Sequence, residues 1–138
     1  MFQNKKVAKL VLIDADENYL LLYRDHHPAF GNDPDLPGGT LEVGESTQET
    51  MLREVEEEIG VKMNVNNVKE IYAGTDYSTS GTYYALYVAA VAERPPVTLS
   101  WEHSSYEWMP RTAFIEKATN AKDTYMHMVA NVVCGAVK

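Results

Sequence analysis

Residues 46–59 constrain this chain more than any other stretch. Ser46 and Glu49 stand in the S-x-x-E spacing of a capping box, in which each side chain satisfies a free backbone N–H at a helix start. Gly60 directly follows Ile59 and suits the left-handed position past a helix end. The spacing predicts a helix of about 14 residues, ~21 Å long. Met51, Leu52, Val55 and Ile59 fall on one side, which must pack against something apolar. Glu54, Glu57 and Glu58 stand at i, i+3 and i+4 and share a second stripe, roughly 120° from the first. The acidic stripe therefore runs beside the packed seam, where it can line a cleft.

Three carboxylates on one stripe repel one another, and the helix dipole disfavours negative charge near a C-terminal end. Stability alone does not place them there. A divalent cation reverses the sign of the interaction, because carboxylate oxygens are the ligands that Mg²⁺ prefers, and Mg²⁺ also takes substrate phosphates. A run such as EVEEE taken by itself is an ordinary solvated acidic face. The spacing of the whole segment decides otherwise.

Gly39, Glu45, Arg53, Glu54, Val55, Glu57, Glu58, Gly60 and Val61 match all nine positions of G-x5-E-x7-R-E-U-x-E-E-x-G-U, with U aliphatic. At ordinary residue frequencies the chance per starting point is on the order of 10⁻⁹ to 10⁻¹⁰. The segment thus resembles the Nudix box, and the chain resembles MutT-like members of the Nudix hydrolase family. The resemblance implies an α/β/α sandwich with a mixed sheet and Mg²⁺-dependent hydrolysis of a diphosphate linkage, with Mn²⁺ able to substitute. It implies that Glu54, Glu57 and Glu58 hold the metals together with the Gly38 carbonyl, while Gly38 and Gly39 shape the loop. Arg53 and Glu45 would pair and position the catalytic carboxylates, a bidentate task that suits a guanidinium. Gly39 would also lie against substrate.

The rest of the chain reads as one domain spanning residues 1–138. Its length and its 45% hydrophobic and 23% charged composition fit a globular protein with a core of its own. Residues 7–13 and 19–24 are strand candidates joined by a turn cluster, a hairpin pattern. Residues 26–39 hold three prolines and three glycines and read as loop. Two more strands are expected at 68–77 and 82–92, joined at 78–81, and a short one at 106–109. Residues 111–117 suit one or two helical turns. Residues 123–137 place Tyr125, Met128, Val129, Val132, Val133 and Ala136 at helical spacing, a core-packing stripe. Alternation sends Tyr83, Ala85 and Tyr87 to one face of their strand and Tyr84 and Leu86 to the other. Most of the tyrosines read as core or sheet surface; one or two could stack on a base.

Several classes of function drop out. The four histidines and Cys134 show no zinc spacing, and no G-x-S-x-G elbow occurs. Cys134 lies in an apolar stretch and is expected to be a buried, inert thiol; one cysteine builds no internal disulfide framework. No apolar run approaches the ~20 residues of a membrane-spanning helix, and no signal peptide is legible, so a cytoplasmic location is expected.

Outside the box, Arg24 closes the second strand and points toward the loop. In MutT-like members a basic residue at this place contacts phosphate, and the same role is expected for Arg24. Glu102-His103 opens a stretch, EHSSYEWMP, that resembles a late segment of MutT-like hydrolases, which implies that Glu102 is a further metal ligand or the base. Glu107 is a rival for that job. His103 alone reads as a hydrogen-bonded structural residue. The expected function is hydrolysis of a nucleoside triphosphate or a nucleoside diphosphate derivative. The alternative is a non-catalytic Nudix-fold module that only binds a nucleotide. Such modules typically lack one of the glutamates, and this chain lacks none. Oligomeric state is left open by the sequence.

The net charge of −8 bears on partners. A protein that neutralises many backbone phosphates needs a basic face, which this chain does not offer, so the expected partner is a small nucleotide-like substrate. Filter binding at low and physiological salt should give no tight, salt-sensitive complex with long RNA or DNA; such a complex would overturn this reading of the charge.

Overall fold

The computed structural model describes residues 5–136. Among the described residues, seven strands form one mixed sheet: β1 (Lys6–Ile13), β2 (Asn18–Arg24), β3 (Pro34–Asp35), β4 (Gly38–Thr40), β5 (Val68–Gly74), β6 (Tyr83–Ala90) and β7 (His103–Pro110). Three α-helices accompany it: α1 (Thr47–Ile59), α2 (Arg111–Thr119) and α3 (Thr124–Ala136). A 3-10 turn at Val65–Asn67 precedes β5. Val137, the last position of the expected third helix, lies outside the described residues.

Period-2 alternation makes two cores from one sheet. Ala8, Leu10 and Leu12 of β1, with Leu20 and Leu22 of β2 and Ala85 and Tyr87 of β6, pack on one face against Met51, Val55 and Ile59 of α1. Val11, Ile13, Tyr19, Leu21, Tyr84 and Leu86 pack on the other against Phe114 and Ala118 of α2 and Tyr125, Met128, Val129 and Val133 of α3. The result is the expected α/β/α sandwich; the stripes read for α1 and β6, and that of α3 from Tyr125 to Val133, face the cores, while the Ala136 side chain lies outside what the structure describes. Burying each large apolar side chain contributes about 1.5–3 kcal/mol. Among the described residues no helix is long and apolar enough to cross a membrane.

The sheet topology opens the cleft. β1 runs parallel to β6 along its full length, Lys6 opposite Tyr83 through Ile13 opposite Ala90. Its antiparallel pairing with β2 is confined to Ile13 opposite Tyr19, next to their turn. Beyond that point the two strands diverge. β1 takes β4 as its partner at Val7–Lys9, β2 takes β3 at Leu22 and Tyr23, and β7 covers the far side of β2. Residues 34–40 thus form a wedge between strands that a simple hairpin would keep together.

Residues 26–39 are therefore not all loop. Pro34 can join β3 because a short edge segment asks little of a missing N–H. β7 is longer than the expected 106–109, since pairing along β2 recruits polar residues that carry no strand pattern of their own. α2 likewise extends to Thr119, held by Phe114 and Ala118 in the core. Cys134 is exposed rather than buried. One residue past the buried Val133, it is turned about 100° out of the packed stripe.

The start of α1 has the geometry its sequence predicts. Glu49 N–H donates to Ser46 Oγ (3.1 Å) and Ser46 N–H to Glu49 Oε1 (2.9 Å). Gly60 ends the helix with φ 71° and donates its N–H to the Glu56 carbonyl. Ser46→Ala should lower unfolding free energy by about 1 kcal/mol, read by urea denaturation, because one helix N–H then loses its acceptor; an unchanged midpoint would mean that the cap adds nothing to the packed face.

Candidate active site

A cavity of about 640 Å³ opens where β1 and β2 part. The Gly-Gly pair of β4 forms its floor. Gly38 has φ 148°, and a side chain there would collide with the Ala8 carbonyl; a Cβ on Gly39 would come within 2.7 Å of Glu54 Cδ. Two glycines thus let strand β4 lie between β1 and the carboxylates of α1. Glu54 and Glu58 line the cavity, with Lys9, Arg24, Asp35 and Glu102.

The three α1 glutamates occupy different environments. Glu58 is buried, 4% exposed, and accepts a hydrogen bond from Gly38 N–H (3.2 Å). Burial pushes its carboxyl up to about 9, helped by the nearby Asp35 and Glu102 charges and opposed by Lys9. Glu54 is half-buried. Glu57 is exposed at the rim and does not line the cavity. Arg53 gathers the rest: its Nε and Nη2 donate to the two oxygens of Glu45 (2.7 and 3.0 Å), and its Nη1 to Glu54 (2.7 Å) and Glu57 (3.3 Å). The bond from Arg53, with those from Glu42 N–H and the Thr50 hydroxyl, lowers the Glu45 carboxyl to about 2. Arg53 and Glu45 pair as the box resemblance implies.

Glu102 comes to the same cavity from a different part of the chain. The loop after β6 satisfies the last carbonyls of α1: Thr98 N–H donates to Ile59 O (2.9 Å) and Ser100 N–H to Glu58 O (3.0 Å). Two residues later the Glu102 carbonyl accepts from Asp25 N–H (3.1 Å). Pinned on both sides, Glu102 faces Glu58 across the cleft. Glu107 does not share the site. It lies on β7, exposed, accepting a bond from the Tyr23 hydroxyl (3.0 Å) on the α2 side of the sheet. Of the two rivals, Glu102 lines the cavity and Glu107 does not.

A buried charge network that the sequence reading did not find supports the wall. Lys9 Nζ donates to Asp35 Oδ1 (2.5 Å), and Arg24 Nη2 reaches Asp35 (3.2 Å) and Asp123 (2.8 Å). His103 Nε2 lies 2.9 Å from Asp35 Oδ2. Burial alone would raise the Asp35 carboxyl, but the Lys9 charge, the His103 bond and the Arg24 charge outweigh it and hold it well below the usual carboxylate range. Arg24 is thus not a free fork: two acids and the face of Phe30, 4.8 Å away, already engage it. A lysine inside the apolar run VAKLVLI was the one sequence signal for this network. His103 has the structural, hydrogen-bonded place expected of it, while its Nδ1 has no partner.

The donor set fits a hard divalent cation. The side chains of Glu54, Glu58 and Glu102 line one cavity beside the backbone of Gly38, and a cation there would favour the ionised form of Glu58 that burial disfavours. No three His, Cys, Asp or Glu side chains among the described residues already close into a metal cage. Glu54 and Glu57 are turned onto Arg53 instead.

A second cavity of about 350 Å³ adjoins the first and shares Arg24, His27, Asp35 and Glu102 with it. Trp101 and His26 lie along its outer edge.

A mixed sheet between α1 and the α2–α3 pair, with a Gly-Gly strand laid against an acid-rich helix, is the arrangement of Nudix-type sandwiches. A profile of the NUDIX domain family matches residues 4–130, and the chain belongs to that family. An ADP-ribose pyrophosphatase of Methanocaldococcus jannaschii is 32% identical over 81 residues, covering 59% of this chain and 47% of that protein. The chain thus spans about half the length of that relative. The crystal structure of a MutT/nudix family protein from Enterococcus faecalis superposes with a TM-score of 0.66 at 28% identity, over 78% of this chain and 44% of that one. The NUDIX domain of Shewanella oneidensis NrtR, solved in complex with ADP ribose, gives 0.74 at 18% identity, over 100% of this chain and 91% of that one.

The Glu58 environment fixes the sign of a pH effect. The folded chain keeps this proton up to about pH 9, whereas the unfolded chain releases it near the ordinary glutamate value of 4.5. Stability from the neutral form is therefore complete below that lower value and is lost as pH rises toward 9. With a chelator present, Glu58→Gln should lose less melting temperature between pH 6 and 9 than the parent chain. Parallel curves in differential scanning calorimetry would refute the buried, protonated carboxyl.

Proposed function

We propose that this chain hydrolyses a diphosphate linkage in a small nucleotide, a nucleoside triphosphate or a nucleoside diphosphate derivative such as ADP-ribose, with Mg²⁺ or Mn²⁺ as cofactor. The observation that carries the reading is the convergence of Glu54, Glu58 and Glu102 with the Gly38 backbone on one cavity that also holds Lys9. The family membership and the M. jannaschii relative support the same reaction class.

Glu54, Glu57 and Glu58, with Glu102 and the Gly38 carbonyl, would hold the cations. Bound there, divalent ions supply charge neutralisation of the phosphate oxygens and acidify water. Arg53, itself held by Glu45, keeps Glu54 at the cavity wall and Glu57 at the rim. Glu102 takes the proton of the attacking water as its oxygen bonds to phosphorus and the bridging oxygen leaves. Lys9 faces the phosphates from β1. For Arg24 to join it, the guanidinium must exchange part of its contact with Asp123. Phosphoryl transfer needs little beyond such positioning and neutralisation. Net charge −8 is then no obstacle to an anionic substrate, since the cations make up the deficit.

Turnover of a nucleotide panel should vanish on exhaustive chelation and return with Mg²⁺. Glu54→Gln, Glu58→Gln and Glu102→Gln should each lower kcat by about 10²-fold or more, with circular dichroism and melting temperature preserved. Full turnover in chelator, or near-normal rates in all three variants, would refute the proposal; binding of nucleotides without any turnover would favour the non-catalytic module.

A further inference from the structure

Glu102 is exposed, so burial does not fix where it stands. Its position comes from the backbone. His103 N–H donates to the Ser100 carbonyl (3.4 Å), which makes residues 100–103 a turn with Trp101 and Glu102 at its corner. One end of the turn is tied to α1 through the bond from Ser100 N–H to the Glu58 carbonyl (3.0 Å), and Asp25 N–H reaches the Glu102 carbonyl (3.1 Å). The other end passes into β7, where the ladder is irregular. The register with β2 shifts between Tyr23 and Arg24, and Arg24 stands opposite His103. Main-chain pairing therefore holds the β7 end of the turn less firmly than the α1 end.

A side chain makes up the difference. His103 is 5% exposed, and its Nε2 lies 2.9 Å from Asp35 Oδ2. Asp35 is ionised and accepts, so Nε2 carries the hydrogen. The other ring nitrogen, Nδ1, is buried without a partner. A buried polar atom left unpaired costs stability, and an apolar side chain of similar size would avoid that cost. Packing alone thus does not favour histidine at this position; the bond to Asp35 does. Asp35 is itself held, since its Oδ1 takes Lys9 (2.5 Å) and Arg24 (3.2 Å) while its Oδ2 takes His103. One carboxylate therefore anchors two cationic side chains of the larger cavity with one oxygen and the turn of Glu102 with the other. His103 does not line that cavity, so any effect it has on the reaction runs through its neighbour.

Resting on the hydrolase reading above, we propose that His103 is a positioning residue for Glu102: its bond to Asp35 fixes the turn that carries this carboxylate, and turnover depends on that bond through Glu102. The imidazole acts as a tether of set length between β3 and the start of β7.

Two substitutions separate the tether from packing. In His103→Gln the side-chain amide reaches about where Nε2 stands, whereas in His103→Asn it stops short of Asp35. His103→Asn should lower kcat by about tenfold or more with KM within about twofold, and His103→Gln should keep most of the parent rate. In a Glu102→Gln chain, His103→Asn should lower kcat no further, because the carboxylate it positions is already gone. Equal rates for the two His103 variants, or a full additional loss in the Glu102→Gln chain, would overturn the proposal. The Asp25 amide, bonded to the Glu102 carbonyl, reports the turn without any turnover. Its hydrogen exchange, followed by NMR in metal-free protein, should quicken by about tenfold in His103→Asn and stay near the parent rate in His103→Gln, while the Val55 amide of α1 is unaffected. If no nucleotide is hydrolysed, the reaction reading fails while exchange at Asp25 still decides the tether; unchanged exchange in His103→Asn would overturn it. Should His103→Asn not fold, His103→Leu, which fills the space without the bond, is read in its place with the same outcomes.

Discussion

The Lys9–Asp35 ion pair is the interaction on which the rest of the site depends. Asp35 is 4% exposed and ionised, and Lys9 is 7% exposed on a strand whose neighbours are all apolar. Removing Asp35 would leave the Lys9 charge without its ion-pair partner in a low-dielectric interior, a loss of about 3–5 kcal/mol in comparable buried pairs. Because Asp35 must stay with Lys9, Arg24 and His103, β3 is fixed between strands that would otherwise zip together. The divergence of β1 from β2, the placement of the Gly-Gly strand and the cavity itself follow from that wedge.

A second constraint acts at the far end of α1. The last carbonyls of a helix need donors, and here Gly60, Thr98 and Ser100 supply them. That backbone requirement brings the loop after β6 against the helix and sets Glu102 opposite Glu58, so a contribution from outside the Nudix helix comes from ordinary hydrogen-bond satisfaction. Arg53 does the complementary task along the helix. Its guanidinium pairs with Glu45, Glu54 and Glu57 and offsets part of their charge, which makes an acid-rich surface more tolerable and keeps those carboxylates oriented.

Sequence patterns were informative wherever one local rule governed the outcome. The α1 cap, its apolar seam, the alternation of β6 and the stripe of α3 all follow from a period and a capping rule, and all are seen in the fold. They failed where pairing across the chain decided. The polar start of β7 is a strand because β2 lies beside it, and Pro34 joins the sheet because β2 has an edge to offer. Cys134 faces out because the α3 stripe passes one residue earlier. The contact of Arg24 with Asp123, 99 positions away, likewise had no signal in the local sequence.

By itself, then, the sequence determined the kind of molecule, through the nine positions of the box, and the helix that carries its carboxylates, since residues 46–60 specify a cap, a packed seam and an acidic stripe through local geometry. Only the tertiary structure decided which carboxylate is buried and protonated, that Glu102 rather than Glu107 faces α1, and that a lysine, an aspartate and a histidine from three distant segments support the wall. Those outcomes depend on long-range burial and on which charges meet away from water. Neither is encoded in the spacing of residues along any single element.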